Sequence, residues 1–289
     1  MNVLKDREEA VRSPVVDRTL FQKTLAECIQ AAGIDPGCHE LIVGGSYEDA
    51  EMLRGVGFRR MTLSNVDAVA ASGPPRMEGV ELDTVYADVE KMPLADGSYD
   101  LVLAHAVLHH CRSPHAALLE MLRVSRRNVI FLEPNDSLLM RALVRFRLSF
   151  PYELPAVVAC GFESGGVRNT CIPNYIYRWD RRDMQKATAS FLAESDFALY
   201  ARSYWDFNVD RAELARRNQT RIGSFTKVLG PGLFLAGLHG FQAVANRLPW
   251  VSGQGNKFFG CITKQDRLKP WLVRQGDGIA FKRDYGQRG

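Results

Sequence analysis

The most constraining feature of this chain is the segment 84–110, in which two short apolar stretches flank a polar loop. The first stretch, 84–87, is followed at once by Asp88. A Gly-Ser turn then precedes the second stretch, 100–104, which runs into a group of histidines. Apolar runs of this length between turn residues are typical of buried strands. The segment therefore predicts two strands with polar side chains at their carboxyl ends.

The same pattern recurs along the chain, where predicted strands alternate with predicted helices. Further strands are expected at 40–45, 60–65 and 128–133, and helices at 17–33, 48–54 and 114–124. A capping box at Asp180 begins another helix, and strands at 197–204 and 257–264 close the pattern. Such alternation gives right-handed βαβ units and a parallel sheet with helices on both faces.

Length and charge narrow the class of protein. The 289 residues suffice for one large α/β domain with insertions or for two small domains. Lysine and arginine number 37 against 33 acidic residues, a net charge of +4, and the basic residues are spread along the chain. Because a nucleic-acid surface needs a denser one-sided stripe of positive charge, no nucleic-acid partner is predicted.

Cysteine spacing and hydropathy exclude further classes. The six cysteines lie far apart without a CxxC pair, so free thiols in a reducing compartment are expected. The start of the chain lacks the apolar core of a signal peptide, and no run of about 18 apolar residues occurs. We therefore expect a cytoplasmic protein without membrane insertion. Histidines and acidic residues show no ligand spacing, so no metal site is predicted.

The segment 84–110 resembles the middle of class I S-adenosylmethionine (SAM)-dependent methyltransferases. In that family an acid follows the third strand, a short Leu-Pro-Phe-like loop comes next, and the fourth strand opens on an aspartate and leads to a histidine. Here these features are Asp88, the loop 92–94, Asp100 and His105. The resemblance is to bacterial methyltransferase-domain proteins of biosynthetic pathways rather than to enzymes acting on DNA, RNA or protein.

The resemblance implies a Rossmann-like fold: a seven-stranded, mostly parallel sheet with helices on both faces and inserted lid segments. It also implies SAM as the cofactor and S-adenosylhomocysteine (SAH) as the product. In these terms the chain divides into an N-terminal helical segment covering the cleft (1–37), a SAM-binding core (38–135), a substrate lid (136–180), a C-terminal half of the core (181–264) with a helical insertion (211–249), and a tail (265–289). The end of the tail is expected to be poorly tethered.

The first strand-to-helix turn is where glycines let the backbone approach a nucleotide cofactor. Gly44, Gly45 and Ser46 occupy this turn. The family usually shows an acid followed by Gly-x-Gly-x-Gly. Here Ile42 stands at the acidic position, and the glycine positions are Gly44, Ser46 and Glu48. The turn therefore implies either a reshaped SAM site or a fold that has lost the cofactor.

The resemblance gives the other cofactor contacts to the ends of the next strands. Asn65 and Asp67 stand where the family binds the ribose hydroxyls, for which an acceptor oxygen is suited. Asp88 matches the acid that contacts the adenine amino group, with the Val89 amide nearby for a ring nitrogen. His105 would line the methyl-donor pocket. A helix-capping Asp67, a turn Asp88 and a packed core His105 are the alternatives.

His109 and His110 are the candidate catalytic residues, since they follow the fourth strand by about one helical turn. Histidine titrates near neutral pH and can remove a proton from a methyl acceptor. We expect one ring to face the cleft, favour His109 as the base, and expect His110 to pack or form hydrogen bonds. A purely structural role is the alternative. The predicted reaction is O-methylation of a secondary metabolite or sugar, with N-methylation left open.

Polar and aromatic side chains after the fifth strand are the candidate substrate contacts. One ends that strand, and the others lie in a loop too aromatic to be disordered, which we interpret as a substrate lid. They are Glu133, Arg168, Asn169, Asn174, Tyr175, Tyr177 and Arg178. The two arginines would suit a phosphate or carboxylate on a small-molecule acceptor. An aromatic structural loop is the alternative.

Several other readings stay open. The apolar stretch 229–250 completes the substrate pocket or makes a dimer contact, so a homodimer is left open. The eroded glycine turn would also fit a non-catalytic binding module, or a SAM-assisted cyclase or isomerase on the same fold. A nicotinamide dehydrogenase is disfavoured because the turn lacks GxGxxG spacing.

Overall fold

The computed structural model describes residues 18–66, 76–207 and 229–285. Its main sheet contains β1 (His39–Val43), β2 (Arg60–Asn65), β3 (Glu81–Tyr86), β4 (Tyr99–His105), β5 (Ser125–Pro134), β6 (Ser195–Tyr204) and β7 (Lys257–Leu268). The strand order is β3-β2-β1-β4-β5-β7-β6. Strands β1 to β5 are mutually parallel, and β7 is antiparallel to both β5 and β6. The predicted seven-stranded, mostly parallel sheet is thus confirmed.

Helices connect and cover the strands. They are α1 (Arg18–Ala32), α2 (Tyr47–Val56), α3 (Pro114–Val124), α4 (Leu138–Arg145), α5 (Leu154–Ala159), α6 (Arg181–Phe191), α7 (Pro231–Ala245) and α8 (Pro249–Ser252), with short 3₁₀ turns at Leu108–His110 and Val167–Asn169. Ser46, Ser113 and Asp180 each accept a hydrogen bond from the amide three residues later. These caps satisfy amides that have no partner inside the helix, which explains where α2, α3 and α6 begin.

The core lies on both faces of the sheet, as the alternation along β1 shows. Ile42 points into a cluster with α1 and α2, which contribute Phe21 and Leu53. Its neighbours Leu41 and Val43 point into a second cluster with α3 and α6. Successive side chains of a strand point to opposite faces, so the consecutive apolar residues 41–43 require cover on both sides. This requirement places β1 at the centre of the fold.

Several predicted boundaries change. Strand β3 begins at Glu81, because β2 pairs with it from Arg60 onward, and β5 begins at Ser125. The tail is not loose throughout: β7 runs to Leu268, and β8 (Leu272–Gln275) pairs with β9 (Gly278–Phe281) as a hairpin. Gly276 takes the positive φ of 60° that this turn needs.

Some predictions fall outside the described residues. These include Asp67, the start of the helical insertion and the first part of the N-terminal segment. All six cysteines are free thiols, as expected. Among the described helices, none has the length and apolar character needed to cross a membrane.

Candidate active site

A cavity of about 330 Å³ lies at the carboxyl ends of the parallel strands, where the strand order reverses between β1 and β4. Open α/β sheets bind ligands at this place, because the two connections leave for opposite faces of the sheet. The cavity is lined by Gly44, Asn65, Val66, Ala87, Asp88, Val89, Glu90, His105, Ala106, Val107, His110, Cys111, Gly165, Gly166, Arg168 and Asn169. Its walls therefore combine strand ends with the predicted lid.

The turn after β1 forms one wall. Gly44 has a φ of +59°, and a Cβ there would lie 2.8 and 2.9 Å from the Cγ2 and Cγ1 atoms of Val107. A Cβ on Gly45 would lie 2.6 Å from Cγ2 of Ile42, which is fully buried. Ser46 caps α2. Gly44 thus lines the cavity, whereas Gly45 and Ser46 build the turn behind it.

His105 is a fixed part of the wall beside this turn. Its Nδ1 lies 2.8 Å from Oδ1 of Asp49, and its ring stacks on Phe21 with centroids 4.7 Å apart. Burial alone would raise the pKa of the Asp49 carboxyl, but the hydrogen bond and charge of His105 lower it. Contacts from α1 and α2 therefore position the imidazole at the cavity.

The ends of β2 and β3 carry the residues expected at the ribose and adenine. Asn65 lines the cavity, and Val89 lies beside Asp88 in the same wall. Oδ1 of Asp88 accepts a hydrogen bond of 3.0 Å from the Glu90 amide, and its Oδ2 forms an ion pair with Arg168 of the lid. Asp88, which the resemblance places at the adenine, thus forms an ion pair with the lid.

The two candidate catalytic histidines exchange the orientations that the sequence predicts. His110 lines the cavity, whereas the His109 side chain is only 6% exposed. Nδ1 of His109 lies 2.5 Å from Oε2 of Glu133, and its Nε2 lies 3.2 Å from Oε2 of Glu153. The 3₁₀ turn presents His109 to these two carboxylates, which is why His110 faces the cavity instead.

The pKa values of the two rings shift in opposite directions. Burial alone would lower the pKa of His109, but Glu133 and Glu153 raise it to about 9. The pKa of His110 is lowered, first by burial and then by the adjacent His109. Desolvation also opposes ionisation of Glu153, yet His109 lowers the pKa of that carboxyl to about 2.

Glu133 holds the turn after β4 and does not line the cavity. Its Oε1 accepts hydrogen bonds from the amides of Val107 and Leu108, at 2.8 and 2.7 Å, and its Oε2 meets His109. The residue is 1% exposed. A carboxylate with these partners has satisfied its hydrogen-bonding capacity inside the protein. The expected substrate contact is therefore replaced by a positioning role.

Asn174 and Glu153 join the lid to the same place. Nδ2 of Asn174, a residue only 1% exposed, donates to the carbonyl of His109 at 2.9 Å and to Oε2 of Glu153 at 3.1 Å. We call His109, Glu133, Glu153 and Asn174 the lid cluster. It fastens the segment 136–180 to the turn below the cavity.

The remaining lid residues divide into two groups. Arg168 and Asn169 reach the cavity. Tyr175, Tyr177 and Arg178 do not line it. Tyr175 is 56% exposed, the Tyr177 ring packs 5.2 Å from that of Trp179, and Arg178 donates to the carbonyl of Phe150 at 2.8 Å. Their contacts hold the lid in shape, as the structural alternative for this loop predicts.

Sequence reasoning missed Glu153, Glu90 and Cys111. Glu90 lines the cavity and accepts hydrogen bonds from the Arg112 and Ser113 amides at 3.1 and 2.7 Å. Glu153 begins a lid helix, and no local pattern connects it with the histidines. Donor atoms of His109, His110 and Glu153 all lie within 4.8 Å of one another. The spacing along the sequence does not reveal this group, and the expectation that no metal is bound stays a prediction.

Comparison with known proteins supports a family. Residues 54–132 match a family model described as a methyltransferase domain. No curated protein matches the chain significantly.

Three solved structures are similar in fold. A SAM-dependent methyltransferase of Thermotoga maritima is 13% identical, with 83% of this chain and 89% of that one covered and a TM-score of 0.44. Magnesium protoporphyrin IX methyltransferase of Synechocystis with bound SAH is 15% identical, with 62% and 75% covered and a TM-score of 0.41. A SAM-dependent methyltransferase of Archaeoglobus fulgidus is 12% identical, with 86% and 95% covered and a TM-score of 0.42.

The match to the family model covers residues 54–132, so it extends over part of the chain. The cavity also fits the family's cofactor. The left-handed Gly44 leaves no side chain between the backbone and the cavity, and Asn65 and Asp88 border it at successive strand ends. Residues 54–132 thus match a methyltransferase domain, and the seven-stranded sheet has the Rossmann-like fold that the resemblance implies.

Proposed function

We propose that this enzyme transfers the methyl group of SAM to a hydroxyl oxygen of a small molecule bound between the strand ends and the lid. The observation that carries the proposal is that one cavity collects residues from both predicted sets, the cofactor set at the strand ends and the substrate set in the lid. Its volume of about 330 Å³ falls within the roughly 300–1,000 Å³ of small-molecule sites.

The strand-end residues are proposed to hold the cofactor. Gly44 would let the backbone approach it, Asn65 would meet the ribose, and Asp88 with the Val89 amide would meet the adenine. When bound, SAM supplies an electrophilic methyl carbon, whose bond to sulfur breaks with the electron pair remaining on sulfur as the bond to the acceptor oxygen forms. The wall containing His105 would keep water from this carbon.

His110, rather than His109, is proposed to act on the acceptor side. Both ring nitrogens of His109 already meet carboxylates in the lid cluster. His110 borders the cavity, as do Arg168 and Asn169 from the lid. These three groups would orient the acceptor, and the hydroxyl proton would pass to water as the methyl group arrives. Correct orientation supplies much of the barrier reduction in such transfers.

Calorimetry tests the cofactor part. We expect SAM and SAH to bind to the purified protein and NAD not to bind. Failure of both sulfur ligands to bind would overturn the proposal and favour a repurposed fold.

An acceptor screen tests the reaction. SAH released in proportion to an O-methylated product, identified by mass spectrometry, is the expected result. An N-methylated product would correct the acceptor class. SAM conversion without methyl transfer would instead support the cyclase or isomerase alternative.

A further inference from the structure

We propose that His109, His110 and Glu153 form a binding site for a divalent transition-metal ion of the zinc class at the wall of the cavity. Nε2 of His109 and Nε2 of His110 lie 3.2 and 3.5 Å from the same carboxylate oxygen, Oε2 of Glu153. Two imidazoles and one carboxylate are a common ligand set for Zn²⁺ in enzymes. The three residues come from the turn after β4 and from the lid, so the folded chain alone brings them together.

Two of the separations between ligand atoms match the edges of a coordination tetrahedron. Metal–ligand bonds of about 2.0–2.2 Å in a tetrahedral site put neighbouring ligand atoms about 3.3–3.6 Å apart. The two measured nitrogen–oxygen separations are 3.2 and 3.5 Å. All three ligand atoms lie within 4.8 Å of one another, so one ion could contact the three of them.

The residues around the ligands have the arrangement found around bound metals. Glu133 contacts Nδ1 of His109 at 2.5 Å, which leaves Nε2 of that ring to face Glu153. A carboxylate behind a metal-bound histidine fixes the ring and strengthens it as a ligand. Asn174 donates to Oε2 of Glu153 at 3.1 Å and orients that carboxylate in turn.

Charge balance points the same way. The side chain of Glu133 is 0% exposed and that of Glu153 is 30% exposed, and both face the ring of His109. A divalent ion at this point would bring positive charge next to both carboxylates. Unbalanced charge is costly at buried positions.

Three protein ligands leave a coordination position open, as in catalytic zinc sites. Because His110 also borders the cavity, this position would lie at the acceptor side. An acceptor hydroxyl bound there would lose its proton to water more readily, since the ion stabilises the oxyanion. This role rests on the proposed methyl transfer, whereas ion binding does not.

The test is a Co²⁺ titration of the full, tag-free chain after dialysis against chelator, followed by visible absorption of low-coordinate Co²⁺ and by displacement with Zn²⁺. We expect one Co²⁺ per chain. Glu153→Gln and His110→Gln should each weaken binding by about 100-fold or more, since loss of an outer partner alone costs about 10–100-fold. Glu163→Gln in the lid and His239→Gln on α7 are exposed matched controls and should bind Co²⁺ like the wild type.

Two results would overturn the site. One is that the wild type does not bind Co²⁺, and the other is that both ligand variants bind Co²⁺ as tightly as the wild type. The first would mean that the His109–Glu153 contact is only a lid fastening. SAH calorimetry on the same samples, without metal, separates the two proposals. Variants that bind SAH normally are folded, and wild-type protein that binds Co²⁺ but not SAH would refute the proposed function alone.

Discussion

The strand-end wall of the cavity and the lid cluster border the same site but are built differently. Gly44, Asn65 and Asp88 each lie within two residues of a strand end, so the order of strands alone brings them together. His109, Glu133, Glu153 and Asn174 come from a 3₁₀ turn, a strand end and two parts of an inserted segment. The difference teaches that parallel topology specifies the first region, whereas packing of the lid specifies the second.

The largest expected effect breaks the lid cluster. Glu133→Ala removes the carboxylate that contacts Nδ1 of His109, and it leaves the Val107 and Leu108 amides without their hydrogen-bond acceptor. Removal of one member of a buried charged pair costs about 3–5 kcal/mol, and urea unfolding should show a loss of this size. Glu81→Ala, at an exposed carboxylate 3.5 Å from Arg60, is the control and should cost less than about 1 kcal/mol. Equal losses would show that the cluster is not a stabilising unit.

The strand-end wall is tested at Gly44. Gly44→Ala should cost about 2–4 kcal/mol, because it combines a left-handed residue with a collision against Val107. The displaced Val107 should also weaken SAH binding at least about 10-fold, or 1.4 kcal/mol, by calorimetry. Gly79→Ala is the matched control: its φ is +72°, yet no atom lies within 4 Å of the added Cβ. Similar SAH affinity of the two variants would exclude the collision as the cause.

A smaller effect is expected where the two regions meet. Asp88→Ala should weaken SAH binding by about 1–3 kcal/mol, the cost of losing a partner for a buried polar group. Asp277→Ala, at an exposed position of the β8–β9 hairpin, should leave the affinity unchanged. If Asp88→Ala binds SAH like the wild type, the assignment of this acid to the adenine is wrong.

The sequence predicts the fold well because its signals are local. Apolar runs and caps such as Asp180 predict the bounds of strands and helices to within a few residues. The strand order then locates the cavity. The orientation of His109 is not local, since Glu133 and Glu153 decide it from 24 and 44 residues away. Nothing around Glu153 marks it as a partner of two histidines. The hairpin at 272–281 was missed for another reason: its short strands are largely exposed and lack an apolar run.

The smallest effect is expected in the core below both regions, at a buried carboxyl group. Glu40 on β1 is 0% exposed, and neither carboxylate oxygen has a hydrogen-bond partner within the part of the chain that the structure describes. Burial raises its pKa well above the usual 4.5. The folded state therefore retains a proton that the unfolded state loses, so stability falls as the pH rises above 4.5 towards the raised value.

Glu40→Met should remove this dependence and add about 0.5–2 kcal/mol at about pH 8, compared by urea unfolding with about pH 5. Glu51→Met on the exposed face of α2 is the control and should change neither quantity. If Glu40→Met is less stable than the wild type at both pH values, the carboxyl makes an interaction whose contribution to stability exceeds the cost of its burial.

The contact between Ile42 and the turn above it also constrains how this chain can change over generations. With Cγ2 of Ile42 2.6 Å from the place of a Cβ on Gly45, no larger residue can enter position 45 while isoleucine stays at 42. A smaller residue at position 42 must come first, although that step leaves a cavity in the core. The effect of a substitution at position 45 therefore depends on the residue at position 42, which makes the two positions epistatic.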